Sequence, residues 1–264
     1  MKKNETMKEI KGTSKKSFTS FEHKQSRSDR KDLWKNLWEK KGNELSGELK
    51  LEDLMNIVGW FHNAAGDLSI NNWLSFVKKI QEQLNIKDKK KILEIGCGAG
   101  AFLYPMYDSN IKIFGIDYSS SLIKLCSRIM PTGVFNIAEA KSLPFKKFFF
   151  DAIICNSVFQ YFENLNYAEK VINEMERVLN NVGSIAILDI TDASKKNKYE
   201  SLRRSKLGNN EYNRLYGNLT HQFYKIEWFE NIANSYNLHC AIHDQNIIGY
   251  ENSKFRFNVF LDRK

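Results

Sequence analysis

The sequence predicts an α/β fold, a mostly parallel sheet wound on both faces by helices. Three observations lead there. From Lys91 onward, apolar runs of strand length alternate with amphipathic runs of helix length, the signature of strand–helix–strand units. The first apolar run, Lys91 to Ile95, ends in Gly96, Gly98 and Gly100, where the missing Cβ lets the backbone turn sharply and approach a ligand. A helix expected from Phe102, over 102–109, would aim its N-terminal amides at the same space. Together they predict a nucleotide-type cofactor site at the first strand–helix turn.

Residues 1–30 are rich in Lys, Ser, Thr and Glu and poor in apolar residues, which favours a basic, disordered arm. A helix expected from near Asp29 carries Leu33, Trp34, Leu37 and Trp38 on one face, a pattern read as docking onto the core. Residues 51–62 read as a short helix running into a glycine-containing loop with Trp60 and His62. Trp73, Phe76, Val77, Ile80 and Leu84 then mark an amphipathic helix. Residues 31–88 are thus expected as a helical cap ahead of an α/β domain over 89–264.

Within that domain, strands are expected near 91–95, 111–116, 133–137, 150–155 and 184–190. Helices are expected near 120–128 and 166–180. A polar insertion at about 191–224 precedes a helix at 226–235 and two closing strands, HCAIHDQ and FRFNVFLD.

Composition narrows the function classes. The 264 residues are 42% hydrophobic, enough for one domain with a sizeable core. No apolar run approaches the roughly 20 residues that span a bilayer, and no signal-peptide core follows the basic start. Cys97, Cys126, Cys155 and Cys240 lack metal or CxxC spacing, so free thiols in a reducing, cytoplasmic setting and no metal centre are expected. The net charge of +9 sits mostly in the arm, since residues 1–41 hold 13 Lys and Arg against 6 Asp and Glu.

The glycines alone admit two cofactors. Gly96, Gly98 and Ala101 loosely meet the dinucleotide pattern G-x-G-x-x-G/A, with Asp117 at the end of the next strand. Glu94 inside the strand and the third glycine favour a different assignment. Here the chain resembles the class I S-adenosylmethionine-dependent methyltransferases, whose first motif is E/D-x-G-x-G-x-G. The resemblance extends through Asp117, AEAKSLPF (138–145), FDAIICNSVFQYF (150–162) and RVLNNVGSIAILDI (177–190), in order over roughly residues 88–190. Asn181-Val182-Gly183 stands where the family writes Pro-Gly-Gly.

That resemblance implies a Rossmann-like, seven-stranded sheet with an antiparallel closing strand, and S-adenosylmethionine as cofactor. It implies that Gly96, Gly98 and Gly100 admit the methionine portion, with Glu94 organising the turn or meeting the ammonium. Asp117 would take the ribose hydroxyls, Tyr118 would lie against the adenine, Glu139 and Ala140 would sit at its edge, and Asn156 would reach the methionine.

The acceptor half is harder to read. Oxygen or carbon methylation usually calls for a base. The resemblance implies one at His221, which lies in LTHQFY just before the late helix, where many small-molecule members of the family carry a His or Tyr facing the substrate. Tyr161 and Tyr224 are the next candidates. Trp60, His62, Arg203 and Arg204 are candidates on the substrate side. The strand exit Asn156-Ser157-Val158-Phe159 lacks the N/D-P-P-Y/F of base-amine enzymes. That argues against a base-amine enzyme, though not against ribose or tRNA substrates in general. With the resemblance it makes a small-molecule acceptor the expectation, with no membrane partner. The alternatives are an RNA or protein methyltransferase gripping through the basic arm, and a cofactor-binding protein without turnover; a NAD-dependent oxidoreductase ranks last.

Overall fold

The computed structural model describes residues 27–44, 47–57, 66–87, 90–107, 110–216 and 220–263, the side chains of 27–31 and 214–216 excepted. The strands are β1 (Lys91–Ile95), β2 (Lys112–Asp117), β3 (Val134–Ile137), β4 (Phe150–Asn156), β5 (Leu179–Thr191), β6 (Leu238–Asp244) and β7 (Arg256–Arg263). They form one sheet in the order β3-β2-β1-β4-β5-β7-β6. The first five are mutually parallel, and β7 runs antiparallel between β5 and β6. The doubly wound, mostly parallel seven-stranded sheet expected from the sequence is the one observed.

The helices are α1 (Arg27–Asn43), α2 (Leu51–Ile57), α3 (Ile70–Gln83), α4 (Ser120–Ile129), α5 (Leu165–Val178), α6 (Lys196–Leu207), α7 (Asn209–Tyr216) and α8 (Ile226–Ser235). Alternate strand residues feed opposite layers, as a period of two requires. Ile92, Ile154 and Leu188 pack with α3 and α4, while Leu93, Ile153 and Ile187 pack with α5 and α8. Burial on both faces explains why these strands read as continuous apolar runs.

Three boundaries differ from expectation. No helix fills 102–109; its described part makes a single 3-10 turn over Tyr104–Met106. Pro105 has no N–H to give the Ala101 carbonyl, and the Trp73 indole N–H donates to that carbonyl instead, at 3.0 Å. The glycine turn is therefore followed by a turn buttressed by α3. Next, α5 ends at Val178 and β5 begins at once, because Leu179 is already extended and pairs with Phe150. Finally, α3 belongs to the layer on the sheet face: Trp73 is fully buried and Val77 and Ile80 nearly so.

Candidate functional site

The chain runs from β1 to β2 and β3 on one side of the sheet, then crosses to β4 and β5 on the other. Open α/β sheets bind ligands at such a switch point, beyond the carboxyl ends of the strands. A cleft of about 1090 Å³, its open mouth included, lies there. Glu94, Gly96 and Gly98 from the β1 end line it, as do Asp117 and Tyr118 from β2, Glu139 and Ala140 after β3, and Asn156 at the tip of β4. Among the expected cofactor residues, Gly100 does not line it.

The two outer glycines of the motif serve different ends. Gly96 has φ of +71°, and a Cβ there would stand 2.5 Å from Val158 Cγ2 in the loop after β4. Gly100 has φ of +83°, and its Cβ would meet Met130 Cε at 2.6 Å, at the end of α4. The first glycine lets Val158 of the loop after β4 pack against the turn; the third lets α4 close on it.

Asp117 is fixed by the backbone around it. One carboxylate oxygen accepts from Gly98 N–H at 3.0 Å and the other from Ser119 N–H at 2.9 Å. With the Tyr118 N–H also acting on it, the carboxylate retains capacity for a further donor. Burial pushes this carboxyl up to about 6, against the pull of the Ser119 and Gly98 N–H groups. Glu94 is raised well above the carboxylate range by burial and then by the Asp117 charge. Its Oε2 and Asn156 Oδ1 are buried acceptors with no hydrogen bond. Unmet acceptors beside a turn of close-approach glycines are a site for a ligand that brings donors.

On the far side, Trp34 and Trp38 of α1 and Tyr161 close the cleft. Both tryptophans, which the sequence pattern assigned to docking, line the ligand space, although Trp34 is only 4% exposed. Trp34 meets Tyr161 edge-on at 4.6 Å between ring centres and stacks with His221 at 5.7 Å. α1 is held by Glu39, whose carboxylate accepts from the Ser119 and Ser120 hydroxyls, both at 2.7 Å, and from Ser121 N–H. An anion at the start of α4 suits the helix dipole.

The candidate catalytic residues separate. Tyr161 lines the cleft, and burial pushes its hydroxyl up to about 12, so it keeps its proton at neutral pH. His221 lies behind Trp34 and Tyr161; burial first, then the Arg203 and Arg256 charges, holds its imidazole well below its usual value and uncharged. Tyr224 is fully buried in the core under β5, with its hydroxyl donating to the Phe159 carbonyl at 2.8 Å. That bond commits it to fixing the loop after β4. Arg203 is buried over the Tyr199 and Tyr212 rings, whereas Arg204 is exposed and bonds Asn213. Trp60 and His62 lie outside the described residues.

Two residues of the site had no motif to announce them. Ser157 lines the cleft and donates to Asp189 Oδ2 in β5. Both adopt left-handed backbone conformations, φ +58° and +59°, that non-glycine residues visit at a cost. The signal available in the sequence was an acid inside an otherwise apolar strand, IAILDI.

Comparison with known proteins agrees with this architecture. The family model described as "Methyltransferase domain" matches residues 86–251. Demethylmenaquinone methyltransferase of Thermotoga maritima is 30% identical over 115 residues, 43% of this chain and 49% of that protein. A probable tRNA methyltransferase 9B of Bos taurus is 32% identical over 121 residues, 46% of this chain and 25% of that one. The matched stretches thus span half or less of those relatives' own length. Among solved structures, magnesium protoporphyrin IX methyltransferase from Synechocystis, determined with S-adenosylmethionine, aligns with a TM-score of 0.57 at 13% identity, over 89% of this chain and 98% of that one. Geranyl diphosphate C-methyltransferase from Streptomyces coelicolor, determined with S-adenosylhomocysteine, aligns at 0.58 and 11% identity over the same shares. With more than half of its length matched by the family model and its sheet in this strand order, the chain belongs to the methyltransferase-domain family and has the fold of the class I S-adenosylmethionine-dependent methyltransferases.

Proposed function

We propose that the protein transfers a methyl group from S-adenosylmethionine to a small-molecule acceptor. The observation that carries the donor assignment is the cleft itself: two buried acceptors without partners, Glu94 Oε2 and Asn156 Oδ1, stand beside a glycine turn and a backbone-held Asp117. These groups fit the donor's ammonium and ribose hydroxyls. Gly96 leaves the cleft floor free of a side chain, and Tyr118 and Ala140 offer surface to the adenine. S-adenosylmethionine, once bound, supplies a methyl group already activated on a sulfonium.

The protein's part is then alignment and the exclusion of water. Trp34, Trp38 and Tyr161 enclose the side of the cleft away from the glycines, and α1 is pinned there through Glu39. Tyr161, protonated at neutral pH, donates rather than accepts. His221 lies behind Trp34 and Tyr161, and burial with the Arg203 and Arg256 charges disfavours its protonated form, so its imidazole is a weak base toward an acceptor hydroxyl or carbon acid. The aromatic enclosure supports a small acceptor over a polymer.

The test offers methyl-labelled S-adenosylmethionine and purified protein to a cell extract divided into metabolites, RNA and protein. Label is expected in the metabolite pool and to fall at least about tenfold with Asp117→Ala, since a charge-assisted pair of hydrogen bonds is lost. Label in RNA or protein would overturn the small-molecule reading, and donor binding without label in any pool would overturn catalysis.

A further inference from the structure

Among the described residues, the buried side-chain polar atoms left without a hydrogen bond fall around the cleft and directly behind it. The second group comprises Trp34 Nε1, Gln160 Oε1, His221 Nδ1, Asn252 Oδ1 and, on Arg256, Nε and Nη1. They come from α1, the loop after β4, the segment before α8 and the start of β7, regions far apart in the chain. Ring contacts join them: Tyr161 lies 5.6 Å from His221, and Tyr199 lies 6.3 Å from His221 and 4.9 Å beneath the Arg256 guanidinium.

Arg256 is the centre of this group and is 2% exposed. Its Nη2 donates to the Tyr199 hydroxyl at 3.0 Å, while Nη1 has no partner. The carboxylate facing it, Asp189, stands 3.6 Å from Nε, too far for a hydrogen bond. Asp189 already accepts from Ser157, from Gln245 at 3.3 Å and from Tyr250 at 3.2 Å, and its own N–H donates to Asn258 Oδ1 at 2.9 Å. Arg256 and Asp189 thus form a buried ion pair without a hydrogen bond, and two donor positions of the guanidinium, Nε and Nη1, stay open to a further acceptor.

The position connects to the cleft along two routes. Ser157 lines the cleft and bonds Asp189; Tyr161 lines the cleft, takes a side-chain hydrogen bond from Gln160 and lies in the field of Arg256. We propose that Arg256 is the acceptor's anchor: a guanidinium fork that binds an oxyanion on the methyl acceptor, a carboxylate or a phosphate, and sets the acceptor's other end beside Tyr161 in the cleft. The fork geometry suits either oxyanion. Asp189, paired with the guanidinium at 3.6 Å, positions it. The proposal deepens the small-molecule reading and rests on it.

The experiment saturates the full-length protein with S-adenosylhomocysteine and titrates benzoate and phenyl phosphate against their neutral counterparts, benzamide and phenol, by calorimetry. At least one anion is expected to bind about tenfold or more tighter than its neutral counterpart, the worth of one charge-assisted contact. The better of the two distinguishes carboxylate from phosphate. Arg256→Gln is expected to erase the preference while S-adenosylhomocysteine affinity stays within about twofold. Arg256→Lys, which keeps the charge without the fork, is expected to reduce it and covers the case in which the glutamine variant does not fold. Equal binding of anion and neutral compound, no anion binding, or a preference unchanged in the variants overturns the proposal. Failure to bind S-adenosylhomocysteine would instead sink the donor assignment beneath it.

Discussion

In the proposed assignment, donor binding rests on two carboxyls held in an unusual state. Burial raises Asp117 to about 6, and burial with the Asp117 charge raises Glu94 well above the carboxylate range. An ammonium and two ribose hydroxyls favour the ionised forms, so donor binding should release protons in mildly acidic solution. Affinity for S-adenosylhomocysteine is therefore expected to hold near pH 7.5 and to weaken below about pH 6, by up to tenfold per unit for each proton released. Calorimetry at pH 7.5 and 5 checks this, and Asp117→Asn should flatten the part that Asp117 contributes. In the free protein the sign for stability is the reverse: a raised carboxyl favours folding below its ordinary 3.8 and loses that contribution as pH rises to about 6. Residue identities in this half were legible because strand ends and glycines are local features. Ser157, Asp189 and Arg256 were not, since no spacing in the chain marks three polar residues that meet only across β4, β5 and β7.

At the level of elements, α1 determines whether the cleft is enclosed. It packs on α4 through Glu39 and through Gly42, where a Cβ would stand 2.2 Å from Ser121 Oγ. Burial works against Glu39, but hydrogen bonds from Ser120 and Ser119 outweigh it and leave the carboxyl below its usual 4.5. A lowered carboxyl contributes above the ordinary carboxylate range and ceases to contribute as pH falls through its folded value. Glu39→Ala is expected to loosen α1 by about 1 kcal/mol, the scale of a lost helix cap. Hydrogen exchange should show the α1 amides opening roughly fivefold or more faster while those of β1 and β4 are unchanged. Exchange no faster in α1 would mean that the tryptophan contacts alone hold it. The sequence showed the paired tryptophans of this helix, yet a helical face that docks on a core and one that closes over a ligand have the same periodicity.

For the molecule as a whole, the question is whether the basic N-terminal arm takes part in recognition. The charge surplus concentrated in residues 1–41 would give salt-sensitive attraction to any polyanion. In the small-molecule reading that attraction is incidental to turnover. Deleting residues 1–26, which leaves α1 intact, is expected to lower retention on a polyanion column while methyl transfer to the metabolite pool stays within about twofold. Transfer that collapses with the deletion would assign the arm a role in substrate capture. No described helix is long and apolar enough to cross a membrane.

What the sequence determined by itself were the features written in short-range pattern. Alternating strand and helix periods specified the sheet, because a strand buried on both faces has few other places to go. The glycine turn and the acids at Glu94 and Asp117 marked one wall of the cleft, proposed to hold the cofactor, because close approach and a strand-end carboxylate each need particular residues at particular steps. Even there one local term was overlooked, Pro105, which withholds an N–H and replaces a helix with a turn. Only the tertiary structure decided the acceptor half. Trp34, Tyr161, His221 and Arg256 acquire meaning through contacts between residues up to about two hundred positions apart, and the burial that leaves their polar atoms unpaired exists only once the sheet, α1 and β7 are assembled.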